Sequence, residues 1–189
     1  MVEMTKESIQ LKNVKVAHNM SEETIAFTAT LHINGKKAAY VKNEGTGGDN
    51  YPRFMDRELE TEFLKFCLSL PPQQFPDTTS VNEQGLTKCC EALTTFHDSV
   101  ECCKVCFKEI MEPFPMTYDG FIGDLLAEWM DNDQWKKACK KGIVYTLTTQ
   151  DDGQYMIWHT PYSPEMAEQV RKQYSETGNL KEIINERFI

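Results

Sequence analysis

The sequence predicts an α+β fold, an antiparallel sheet built from N-terminal and C-terminal hairpins with three to five helices packed on it. Three observations carry that expectation. Residues 24–33, TIAFTATLHI, alternate apolar and polar side chains and run into Asn34-Gly35. Residues 55–70, MDRELETEFLKFCLSL, repeat apolar side chains at helical spacing. Residues 142–149 and 154–160, GIVYTLTT and QYMIWHT, read as two further strands around QDDG.

Taken in order, IQLKNVKVA (9–17) is the first strand. Ile9 and Leu11 share one phase and Val14 and Val16 the other, so the slip at Asn13 predicts a bulge. In the next strand Ile25, Phe27, Ala29, Leu31 and Ile33 form one face. Asn-Gly is the preferred pair for a two-residue type I′ turn, whose central residues both need positive φ. That turn sets Leu31 across from Ala38, Ala29 across from Tyr40 and His32 opposite Lys37 on the return strand KKAAYV. The helix over 55–70 buries Leu59, Phe63, Phe66 and Leu70 and stops at Pro71-Pro72. Residues 71–85 read as a loop and mark the lobe boundary, if the single domain 1–189 has one. The apolar spacing of 86–111 predicts a long helix, closed by Pro113 and Pro115. Another spans 121–130 and is re-capped at Asp131 or Asn132 to continue through DQWKKACKK. Ser163-Pro164 opens a helix as N-cap and N1, Gly178 suits its C′ position, and NLKEIINERFI (179–189) reads as a short helix.

Composition narrows the function. With 29 acidic against 20 basic residues and a net charge of −9, direct nucleic-acid binding is not expected. The acidic residues are not set in the dense rows of a nucleic-acid mimic. No apolar run approaches the roughly 20 residues that span a bilayer, so no membrane partner is expected either. The opening MVEMTKESIQ carries no apolar signal segment. Together with an odd cysteine count of 7, this predicts reduced thiols in a cytoplasm.

Three stretches hold candidate sites. In NEGTGGD (43–49), Asn43, Glu44, Gly45, Gly47, Gly48 and Asp49, followed by Tyr51, form either a turn and contact surface or an anion nest. Glu44 and Asp49 would repel a phosphate, which favours structure or surface recognition. In YMIWHTPY (155–162), Tyr155, Trp158 and Tyr162 are candidate contact anchors. CCEALTTFHDSVECCKVC (89–106) holds five cysteines and a histidine. Drawn as a helix at about 100° per residue, it places Cys89, Cys90 and Cys103 among core residues. Cys102 and Cys106 then fall on the polar face beneath Asp98, the weak metal candidates. One straight helix cannot bring His97, Cys102 and Cys106 to one tetrahedral ion. No cofactor is therefore expected, with zinc on the cysteines as the alternative. The four histidines match no catalytic motif, and no catalytic residue is assigned.

SEETIAFTATLHINGKKAAYVKNEGTGG (21–48) resembles the opening signature of a family of short, uncharacterised phage- and prophage-borne proteins. DGFIGDLLAEWM (119–130) with WKKACKKGIVY (135–145) is similar to that family's second block. The resemblance implies a small accessory protein made in the cytoplasm of a bacterial host. Taken with the modest size, the acidity and the lack of a catalytic constellation, it leads to the expectation of a non-enzymatic binder that engages a host protein, such as a component of a defence system that it inhibits. Homo-oligomerisation stays open. The alternatives are a nucleotide-like small-molecule binder using the glycine loop and a zinc-binding protein built on the cysteines.

Overall fold

The computed structural model describes residues 4–73, 78–84, 86–97, 100–106, 108–151, 153–175 and 177–189. The fold is α+β, and its contacts divide the chain into two units, Met1–Leu125 and Leu126–Ile189.

The first unit opens with an antiparallel meander in chain order: β1 (Ile9–Val16), β2 (Phe27–Ile33), β3 (Lys36–Asn43) and β4 (Tyr51–Phe54). The bulge expected in β1 is present. Register slips between Lys12 and Lys15, and Asn13 takes a φ of 52°. Asn34 and Gly35 have φ of 49° and 75°, as the tight turn requires. The facing residues differ from the expected ones. His32 does oppose Lys37, but a second bulge at Ala38 sets Leu31 against Ala39 and Ala29 against Val41. Ala39 and Val41 are thereby buried, whereas Tyr40 turns out to solvent, where the Lys37 ammonium lies 3.4 Å over its ring. Ile25 precedes β2 and is exposed.

Helix α1 (Arg57–Ser69) is capped by Asp56, whose carboxylate accepts the Glu58 N–H at 2.8 Å. Its buried residues are Phe63 and Cys67. Phe63 meets Phe54 at 5.4 Å and Phe121 at 5.9 Å between ring centroids, and Phe66 meets Phe121 edge-on at 5.6 Å. Phe121 lies near the start of helix α2 (Tyr118–Cys139), which runs uninterrupted through Asp131 and Asn132.

The long helix expected over 86–111 is not formed, and the segment 71–85 is not all loop. Short strands β5 (Thr78–Thr79), β6 (Thr94–His97), β7 (Val100–Cys103) and β8 (Glu109–Ile110) make a small sheet in the order β5-β8-β7-β6. Val81 and Thr87 add an isolated antiparallel bridge.

The second unit holds the later part of α2 with β9 (Ile143–Leu147), β10 (Met156–Trp158), helix α3 (Pro164–Tyr174) and β11 (Leu180–Ile183). Its sheet order is β10-β9-β11, so the N- and C-terminal strands build separate sheets. Ser163 caps α3 with Pro164 at the first position, as expected. The tail forms β11 and a 3₁₀ turn, Ile184–Phe188, instead of a short helix. Ile143 and Tyr145 pack with Ala167, Val170 and Ile183, and Val144 packs oppositely with Ala138 and Ile184. Burial, then the Tyr174 hydroxyl 3.0 Å away, pushes the Tyr145 phenol up to about 12. Among the described residues, no helix is long and apolar enough to cross a membrane.

Candidate metal centre

The small sheet of the first unit has an unusual interior. Between Thr78 and Cys106 its buried described residues are Thr79, Ser80, Thr87, Cys102 and Cys103, while Leu93, Val100 and Val105 are exposed. Among its described residues the ribbon buries hydroxyls and thiols and forms no hydrophobic nucleus of its own.

Two turns face each other within this ribbon. In the first, the Thr87 N–H donates to the Ala92 carbonyl at 2.8 Å; in the second, the Cys103 N–H donates to the Lys108 carbonyl at 2.8 Å. The next residue in each turn is a lysine, and its N–H also bonds across strands: Lys88 to Ser80 O at 2.9 Å, Lys104 to Leu93 O at 3.1 Å. Thr87-Lys88-Cys89-Cys90 and Cys103-Lys104-Val105-Cys106 are thus one turn used twice. Glu91, next after Cys90, takes a φ of 50°, the left-handed conformation that closes the first turn.

The turns bring four thiols together. The Sγ atoms of Cys89, Cys90, Cys103 and Cys106 all lie within 4.8 Å of one another, with Cys89 to Cys106 at 3.4 Å. Cys103 is buried, and the Thr87 hydroxyl donates to its sulfur at 3.3 Å. That bond first, with the Cys106 and Val105 backbone groups behind it, holds the Cys103 thiol down at about 6. The neighbouring Cys106 side chain holds the Cys90 thiol up at about 12. Four sulfurs at this separation could hold one metal ion. A tetrahedral zinc with bonds of about 2.3 Å needs sulfurs roughly 3.8 Å apart, within the range seen. The donor set fits that ion.

The cysteines therefore sort differently from the helical reading. Cys89 and Cys90 are exposed rather than core residues, and Cys103 joins Cys106 as a candidate ligand. Cys102 is buried on the strand beside Cys103 and lies outside the cluster, because successive strand residues point to opposite faces. Asp98 lies outside the described residues. The signal that finds the site is the four-residue repeat with its shared lysine, not the cysteine count.

The glycine loop is bonded internally. The Gly45 carbonyl accepts the N–H groups of Glu22, Glu23 and Thr24 at 2.9–3.3 Å. The buried Asn43 side chain accepts from Thr24 Oγ1 at 2.9 Å and Gly45 N at 2.8 Å, and donates to Gly48 O at 2.8 Å and Asn50 Oδ1 at 3.2 Å. The Gly47 N–H donates to Thr24 Oγ1 at 3.3 Å. Two of the amides that an anion nest would use are therefore already engaged. Gly45 and Gly47 both have φ of 88°, and a Cβ on Gly45 would strike the Met20 carbonyl and approach Ala26 Cβ to 2.8 Å. Glu44, Gly48, Asp49 and Tyr51 are exposed, and Glu44 pairs with Lys42 at 2.8 Å. In the second unit, Tyr155 stacks edge-on with Trp135 at 5.0 Å. Trp158 and Tyr162 pack against the Tyr145 core, and the Tyr162 hydroxyl donates to Glu186 at 3.4 Å. All three aromatics are half-buried packing residues.

Fold and site together define an α+β protein whose first unit carries a four-cysteine cluster able to hold a metal ion. No protein-family model, no curated protein and no solved structure matches the chain.

Proposed function

We propose that the protein is a non-catalytic binding protein whose 78–111 ribbon is stapled by a structural zinc ion on Cys89, Cys90, Cys103 and Cys106. The observation that carries this reading is the convergence of four sulfurs from two separate turns, in a ribbon whose described residues form no apolar nucleus. Four thiolates fill a tetrahedral ion and leave no open position for a substrate, which is the pattern of structural zinc rather than catalytic zinc. Metal content of the protein purified under reducing conditions tests the reading. One zinc per chain is expected, lost in C106S and kept in C102A. Zinc retained in C106S would sink the assignment.

The partner we propose is a host protein, a reading supported by the chain's acidity and modest size and by the resemblance of residues 21–48. Glu44 and Asp49 are the exposed charges of that segment's loop. Reversing both should weaken capture of that protein, and unchanged capture would remove the loop from the contact surface.

A further inference from the structure

The two turns of the ribbon share backbone bonding and the second and fourth residues, and they differ at the first and third. Cys90 and Cys106 occupy the fourth position and Cys103 the first of its turn, but the other first position is Thr87. The fourth thiol comes instead from Cys89, whose counterpart in the second turn is Val105. Cys89 is exposed and immediately precedes another ligand, whereas Cys103 is buried and its N–H is held by the Lys108 carbonyl. The Cys89 sulfur is 3.4 Å from that of Cys106, also exposed, whereas Cys103 is buried beneath the Thr87 hydroxyl.

From this geometry we infer that Cys89 is a modification site, the exchangeable ligand that a peroxide oxidises, and that Cys106 resolves it into a disulfide that expels zinc. The inference rests on the zinc reading above for the expulsion, but not for the thiol pair. The Cys89 thiolate attacks hydrogen peroxide: an S–O bond forms, the O–O bond breaks and hydroxide leaves. The Cys106 thiolate then attacks the Cys89 sulfur: the S–S bond forms, the S–O bond breaks and a second hydroxide leaves. Two protons convert both hydroxides to water. The two sulfurs together lose two electrons, and the peroxide gains them. Zinc keeps only Cys90 and Cys103 and dissociates. A thiol reductant reverses the step by exchange and restores the four donors.

The structure also supplies a way to remove the switch without removing the site. Thr87 Oγ1 is 3.3 Å from Cys103 Sγ, so a sulfur at position 87 stands close to a tetrahedral edge, about 3.8 Å. The T87C/C89S double variant should therefore hold zinc through the thiol introduced at position 87 together with Cys90, Cys103 and Cys106. The experiment treats the full-length reduced protein with hydrogen peroxide, follows zinc release with a chromogenic chelator and maps the new crosslink by peptide mass spectrometry. Wild type is expected to release zinc and yield a Cys89–Cys106 bridge. The double variant is expected to release it about tenfold more slowly or less. A crosslink through Cys103, or release from the double variant at the wild-type rate, would overturn the inference. Metal content before oxidation scores the zinc reading by itself. A metal-free protein that still closes Cys89–Cys106 would discard zinc and keep the oxidation pair.

Discussion

Asn43 shows how a side chain can govern a loop that looks suited to a ligand. It bonds four partners, Thr24, Gly45, Gly48 and Asn50, and so joins the Ser21–Thr24 segment to the glycine turn. Asn50 extends the chain of bonds to Asp119, through its N–H at 2.7 Å and its side-chain amide at 3.1 Å. Removing the amide group in N43A strands the Gly45 N–H, on a buried residue, and leaves the Thr24 hydroxyl short of an acceptor. A buried donor without a partner costs about 1–3 kcal/mol. N43A should therefore lower stability by about 2–3 kcal/mol, read as a reduced urea midpoint with an unchanged slope. A shift within error would mean that water replaces the amide and that the loop is free to serve a ligand. The residues that carry the family resemblance, Ser-Glu-Glu-Thr and Asn-x-Gly-x-Gly-Gly, are thus largely each other's partners.

Among elements, legibility in the sequence follows how local the determinant is. The Asn13 bulge, the Asn34-Gly35 turn, the Ser163 cap and the β9–β10 hairpin each rest on adjacent residues, and each is readable. The bulge at Ala38 is not, since in Lys-Lys-Ala-Ala-Tyr-Val both alanines are buried and nothing in their side chains marks which one stands opposite Leu31. The ribbon imitates a helix for a physical reason. A metal-binding turn spaces its end residues at i and i+3, which is also the spacing of neighbours on a helix face. Counting cysteine as a small apolar residue then joins two turns and three strands into one false amphipathic stripe. The β-branched Thr94-Thr95 and Val100 are contrary evidence. The tail over 179–189 has helical spacing too, but β11 completes the edge of β9 and the buried Asn185 ties the turn back, accepting Val144 N–H at 2.7 Å and donating to Gly142 O at 3.0 Å. No local pattern announces a partner that far along the chain.

For the whole molecule, the two units differ in what holds them. The second has its own apolar clusters around Tyr145 and Val144, drawn entirely from residues 126–189. In the first, the meander and α1 meet through Phe54 and Phe63, and Phe63 meets Phe121 in turn. The 78–111 ribbon, whose buried described residues between Thr78 and Cys106 are threonine, serine and cysteine, is on the zinc reading the part that depends on a bound ion. Metal removal should therefore act locally rather than unfold the chain. Under a strong chelator, amide exchange should rise across 78–106 and stay unchanged in β2, β3 and β9. The effect should also depend on pH with a fixed sign. Zinc binds thiolates, so each proton a cysteine holds competes with it, and the group at Cys90, near 12, is the hardest to deprotonate. Less chelator should thus be needed at pH 6 than at pH 8, in roughly the direction that the ordinary thiol value of about 8.5 sets. Uniform loss of protection throughout the chain would mean that the ribbon supports the remainder. Protection of 78–106 unchanged by the chelator would mean that no ion holds it, and the thiols would then be a redox device alone.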